Sequence, residues 1–290
     1  MESIYYVMSW LCHRTCPHCH EDRFRPHFPL MRRLLLILSL ASAVASAGGL
    51  DHSRWDGLVH KYVNDEARVD YAGMRQHGVA DLEAYLKEVA TPWPGGMTSP
   101  DTKAALINAY NALTVHWILA NYPLKSIWRT DNPFRKARHT VDGKPVSLDQ
   151  IEGRLRDMKD ARIHAALVCA ARSCPPLRRE AYIGAKLDQQ LDDNSRRWLA
   201  NRGLNEFVPE KKAAHVSGIF KWYAKDFGGT GGVKDFLAKY GPNAAYIDTR
   251  GAQIDYMTYH WGLNDVTTLG SDYSQWDFYR DQLRLALPGH

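Results

Sequence analysis

The sequence predicts an α+β fold, a predominantly helical single domain with a small β-hairpin and one or two other short strands. Three observations predict it. Apolar residues recur at helical spacing through most of the chain after residue 55. A long apolar stretch opens at Ser99-Pro100-Asp101 and meets no breaker until Pro123. Asp142-Gly143, set between two short extended runs, carries the signature of a tight hairpin turn.

Taken in order, Trp55, Leu58, Val59 and Tyr62 predict an amphipathic helix, and Val69 with Tyr71 a short extended piece. Leu82, Tyr85, Leu86 and Val89 predict a second helix, ended by the Pro- and Gly-rich 91–97 loop. Ser99 as a capping hydroxyl, Pro100 at the first helical position and Asp101 in the first turn start a helix that runs to about Asn121. Apolar side chains cover most of its circumference, which marks a buried helix. Asn108, Asn111 and Thr114 form a polar seam along it, and buried amides must find partners. They either tie down neighbouring backbone or line a cleft.

Arg138–Val141 and Lys144–Val146 flank the hairpin turn. Ser147-Leu-Asp-Gln150 is a capping box opening a helix to about Asp157, with Glu152 beside its buried face. Residues 162–171 are apolar and alanine-rich, so a helix is expected there, ended by Pro175-Pro176. Ala185–Asn201 is a further long helix, and Gly218–Phe227 and Val233–Tyr240 are two shorter ones. The glycine-dense run 228–232 lacks the lysine and preceding strand of a phosphate loop and is expected to be a flexible connection.

The N-terminal region reads differently. Met31-Arg32-Arg33, the apolar run Leu34–Val44 and Ala45-Ser46-Ala47 give the charged, apolar and small-residue parts of a signal peptide over residues 31–47. The apolar run is shorter than the roughly 20 residues a membrane-spanning helix needs. Residues 1–30 precede a complete signal peptide and are expected to be a start assigned too early. Their Cys16-Pro-His-Cys19 then carries no redox or metal role. The mature protein is residues 48–290, one globular domain, periplasmic or secreted, with no membrane span.

The formal charge of +5 falls to about +3 without Arg32 and Arg33, because the acids and arginines of residues 1–30 cancel. That is too weak and too evenly spread for a nucleic-acid partner. No cofactor motif appears, and a small-molecule or peptide ligand remains open, as does the oligomeric state.

Chemistry concentrates between residues 164 and 179, where His164, Cys169, Ser173 and Cys174 lie among Arg172, Arg178 and Arg179. One reading is a Cys169–Cys174 disulfide, natural in an oxidising compartment. Residues five apart in a continuous helix lie about 8–9 Å apart, too far to bridge, but the prolines release Cys174 from helical conformation. A second reading makes Cys174 or Cys169 a nucleophile with His164 as base, the arginines favouring thiolate and a helix C-terminus opposing it. A third is a metal site, which the five-residue spacing and lack of a fourth ligand disfavour. Plain buried cysteines are the fourth.

Several stretches together resemble the family named domain of unknown function 547. They are Ile107-Asn-Ala-Tyr-Asn-Ala-Leu113, Tyr122-Pro-Leu-Lys-Ser-Ile127, Ser147-Leu-Asp-Gln-Ile-Glu152 and Arg162-Ile-His-Ala-Ala-Leu-Val-Cys-Ala-Ala-Arg-Ser-Cys-Pro-Pro-Leu177. Leu187-Asp-Gln-Gln-Leu191, Ile219-Phe-Lys-Trp-Tyr-Ala-Lys-Asp-Phe227 and Tyr259-His-Trp-Gly-Leu-Asn264 complete the set. The resemblance spans most of residues 50–265, with Ala165 standing where an aromatic is expected. It implies an exported bacterial protein and supplies no reaction. Asn108, Asn111, Glu152, His164, Cys169 and Cys174 are its candidate site residues.

The enzyme expectation is a cysteine-dependent hydrolase or acyl transferase acting on a cell-envelope amide or peptide. Cys174 is then the nucleophile, His164 the base, and Asn111 or Asn108 an orienting or oxyanion group. The rival is a non-catalytic envelope binding or scaffolding domain with a Cys169–Cys174 disulfide.

Overall fold

The computed structural model describes residues 49–248 and 251–286. The expected signal peptide and the first thirty residues, with Cys12, Cys16 and Cys19, lie outside the described residues. From residue 49 on the chain is a mixed α+β domain, mostly helical.

Three helices come first: α1 (Ser53–Tyr62), α2 (Tyr71–His77) and α3 (Val79–Ala90). Tyr71, expected in an extended piece, instead opens α2, because the Asp70 carboxylate caps it by accepting the Gly73 N–H. Helices α2 and α3 pack on the long α4 (Ser99–Asn121), and α1 packs on α2 and α3; residues of α4 from Ala104 to Val115 are all buried. Its cap is one residue earlier than expected: Thr98 Oγ1 accepts the Asp101 N–H at 3.2 Å, which puts Pro100 within the first turn.

Strands β1 (His139–Val141) and β2 (Lys144–Val146) pair antiparallel, with Val141 opposite Lys144. Asp142 and Gly143 both have positive φ, as a two-residue hairpin turn of the right twist demands. The capping box forms as expected and starts α5 (Leu148–Asp157): Gln150 N–H donates to Ser147 Oγ while Gln150 Oε1 accepts the Ser147 N–H.

Residues 162–171 correct the sequence expectation. A short 3-10 turn covers Ala161–Ala165, and the chain then runs as a loop. Local propensity is overruled by tertiary partners. Ala170 adopts φ +63, outside any right-handed helix. Asn264 N–H and Arg172 N–H tie the loop to the 262–264 backbone.

Helix α6 (Leu187–Ala200) follows. A small mixed sheet then forms, with β4 (Ala213–Val216) between antiparallel β3 (Glu206–Val208) and parallel β5 (Gln253–Tyr256). The stretch 218–227 yields only the single turn α7 (Ile219–Trp222) before irregular turns. The glycine run is not merely a connection, since Gly229 begins α8 (Gly229–Tyr240). Helix α9 (Gln275–Ala286), unmarked in the sequence reading, closes the described chain. Among the described residues no helix is long and apolar enough to cross a membrane.

Candidate functional site

The site is built around the 160–177 segment, which three side chains from flanking helices hold. Asn111 on α4 donates to the Ala166 carbonyl at 2.9 Å and accepts the Val168 N–H at 2.9 Å. Asn194 on α6 donates to the carbonyls of Ala165 and Pro176. Asp160 binds Lys103 of α4 at 2.8 Å and Arg162 at 2.9 Å. Those two cations outweigh the cost of burial and hold its carboxyl at about 2. Arg162 also reaches Asp188 and Asp192 on α6. The loop is thus fixed to α4 and α6 without being a helix.

His164 is buried, with 4% of its surface exposed. Its Nε2 lies 2.9 Å from Asp226 Oδ2, and its ring packs on Tyr223 with centroids 4.3 Å apart. Burial pushes the imidazole down to about 4 against the pull of Asp226, so the ring is neutral at neutral pH. A neutral ring donating Nε2–H to a carboxylate keeps its lone pair on Nδ1. Asp226 is held in turn by Arg156, with Nε 2.5 Å and Nη2 3.0 Å from its two oxygens.

The two sulfurs sit together and unequally. Cys169 Sγ and Cys174 Sγ are 2.8 Å apart, longer than the roughly 2.05 Å of a disulfide. Cys174 Sγ accepts the N–H of Cys169 at 3.1 Å, the N–H of Ala171 at 3.3 Å and the Tyr259 hydroxyl at 3.3 Å. The left-handed Ala170 lets the backbone curl around that sulfur. Burial raises the Cys174 thiol, but these donors and Cys169 together hold it below its ordinary value. Cys169 is pushed well up, first by its contact with Cys174 and then by burial. The pair is therefore unequal, Cys174 giving up its proton more readily than Cys169. Since no helix ends here, the dipole objection to a thiolate falls away.

A cavity of about 410 Å³ opens beside these groups. Cys169, His164 and Glu152 line it, together with Tyr223, Tyr259 and the rings of Trp128, Trp222 and Trp261. Glu152 accepts the Tyr223 hydroxyl, and burial raises its carboxyl above the ordinary range. Cys174, only 5% exposed, does not line this cavity and instead borders a separate pocket of about 250 Å³.

Cys169, His164 and Glu152 therefore converge, whereas three other expected site residues do not join them. Asn108 is buried and clasps the Tyr182 backbone, donating to its carbonyl at 2.7 Å and accepting its N–H at 2.9 Å. Asn111 is spent on the loop backbone. Neither asparagine lines the cavity. Cys174 acts behind Cys169 rather than at the cavity. Tyr223, Asp226 and Tyr259 were missed by sequence reasoning, although all three stand in stretches 219–227 and 259–264 that carry the family resemblance. A lone acid at 226 amid Trp222, Tyr223 and Phe227 was the available signal. Among the described residues, no three or more His, Cys, Asp or Glu side chains are placed to share a metal ion.

Residues 94–199 match the model of a family described as "Protein of unknown function, DUF547". No curated protein and no solved structure matches the chain. The matched span contains Glu152, His164 and both cysteines, while Tyr223, Asp226 and Tyr259 lie beyond it.

Proposed function

We propose that the protein is a cysteine-dependent hydrolase or acyl transferase acting on an amide or peptide of the cell envelope, with Cys169 as nucleophile. The observation carrying this reading is that a thiol, a carboxylate-held imidazole and a half-buried carboxyl line one cavity. Cys169 attacks the carbonyl carbon while its proton passes to the Cys174 thiolate, so the C–S bond forms as the S–H bond breaks. The C–N bond then breaks, and the leaving nitrogen takes the proton of Glu152, whose burial favours the acid form. Water or an amine attacks the thioester, gives its proton back to Glu152, and expels Cys169, which recovers its proton from Cys174. His164, neutral and held by Asp226, offers Nδ1 to a hydrogen of the bound amide or the incoming water.

The test is alkylation with iodoacetamide at neutral pH followed by peptide mapping. Cys169 is expected to be modified ahead of Cys174, and Cys169→Ser to abolish turnover of an amide or thioester panel. A Cys169→Ser variant as active as the parent would overturn the assignment.

The closeness of the sulfurs favours a second reading, a non-catalytic binding or scaffolding domain in which they are joined. A thiol count without reductant separates the two, because zero free thiols removes the nucleophile. The pattern of residues 31–47 supports export from a bacterial cell to the periplasm or beyond. The exported chain is then expected to begin near Gly48, and an intact Met1 would refute export.

A further inference from the structure

The cavity's wall is more selective than acyl transfer requires. Trp222 and Trp261 stack with centroids 5.8 Å apart, Trp128 stands nearly perpendicular to Trp261, and Tyr259 packs against both Trp222 and Trp261. Trp222 is half exposed at the cavity. Aromatic faces carry negative potential.

The charges point the same way. Glu152 has a phenol partner, and among the described residues no guanidinium or ammonium pairs with it. Arg156, one turn along α5, is committed to Asp226. Arg135 is the one basic side chain on the cavity wall besides the neutral His164. Its side chain is 83% exposed and faces Asp149 at 3.6 Å. The interior thus presents aromatic rings and a carboxyl whose nearby guanidinium, Arg156, gives its hydrogen bonds to Asp226 instead. A neutral sugar could stack on such rings, but it would gain nothing from the charge of an ionised Glu152.

We propose that this cavity binds an ammonium group, primary or quaternary, between the tryptophan rings and the Glu152 carboxylate, and that the substrate carries that cation. The substrate part of this inference rests on the acyl-transfer reading above; the binding part does not. Glu152 holds that cation in the ionised form that the carboxyl takes on when its proton has passed to the leaving nitrogen.

The experiment is calorimetric titration of the protein with choline and with 3,3-dimethylbutan-1-ol, its uncharged isostere. Choline is expected to bind at least about tenfold more tightly. Glu152→Gln should erase most of that preference while leaving the alcohol unchanged. Trp222→Ala, at a half-exposed ring whose loss does not open the core, should weaken choline by about tenfold and serves if Glu152→Gln misfolds. Cys169→Ser should bind choline like the parent. Equal affinity for choline and the alcohol would overturn the proposal, as would saturable binding of N-acetylglucosamine with none of choline. If choline binds but Cys169 proves inert, acyl transfer fails and the cation site stands. If Cys169 reacts and choline does not bind, the reverse holds.

Discussion

At the scale of single residues, the informative feature is how the chain makes two adjacent thiols unequally acidic. Two backbone N–H groups and the Tyr259 hydroxyl converge on Cys174 Sγ, while Cys169 Sγ meets Cys174 and the same hydroxyl at longer range. Each thiol's acidity is therefore a property of the pair. Removing Cys174 takes away the largest influence holding the Cys169 thiol up, leaving burial. In Cys174→Ala, the pH midpoint for iodoacetamide alkylation of Cys169 is expected to move downward, read from rates across pH 6–11. A midpoint that stays put or rises would show that the two acidities are not coupled. A Tyr259→Phe change removes one donor to Cys174 and should move the Cys174 midpoint upward by the same measurement. The paired cysteines and His164 were legible as chemistry because reactive side chains stood close together in an apolar stretch. Which sulfur faces the cavity was not legible, since it depends on a left-handed turn at an alanine, a residue that gives no warning of one.

At the scale of elements, α4 and the loop it holds form one device. Asn111 satisfies an acceptor and a donor of the loop at once, and both loop residues are buried. Asn111→Ala leaves the Ala166 carbonyl and the Val168 N–H unpartnered, at a cost of about 2–5 kcal/mol. Urea unfolding should show that loss, and the Cys169 alkylation profile should move toward that of a free thiol. Asn111→Asp keeps the acceptor for Val168 and should recover part of both. An Asn111→Ala protein as stable as the parent would mean that the loop holds its own shape. The elements whose signals are local were legible: the Ser147–Gln150 capping box, the Asp142-Gly143 hairpin and the buried α4. Residues 162–171 were misread because an alanine-rich run favours helix on propensity alone, while Asn111, Asn194 and the 262–264 backbone impose a loop. The β3–β4–β5 sheet escaped for a related reason. Its strands are three or four residues long, and its parallel pair joins residues some forty positions apart.

At the scale of the whole molecule, the buried histidines set how the domain meets acid. His52, His139 and His164 each titrate at about 4 because burial penalises the imidazolium, against an ordinary value of 6.5. A histidine depressed in the folded state binds its proton more readily once unfolded. Between pH 6.5 and 4 the unfolded chain therefore takes up more protons, and stability falls as pH falls through that window. Each histidine contributes on the order of 2–3 kcal/mol across it, less any relaxation that lets water in. Asp160 acts lower down. Held at about 2 by Arg162 and Lys103, it stabilises fully above its ordinary 3.8 and loses that contribution as pH falls from there toward 2. Thermal melts from pH 8 to 3 should thus show a plateau above 7, a steep decline from about 6.5 to 4, and a further decline below. His139 sits in β1, remote from the cavity, and its Nε2 has no hydrogen-bond partner among the described residues. His139→Gln removes one titrating group without touching the site and should flatten the decline between pH 6.5 and 4 while leaving the lower leg intact. If the variant's melting temperature tracks the parent's in parallel through that interval, the imidazole is not what acid attacks, and the loss of carboxylate pairs such as Asp160 carries the whole effect.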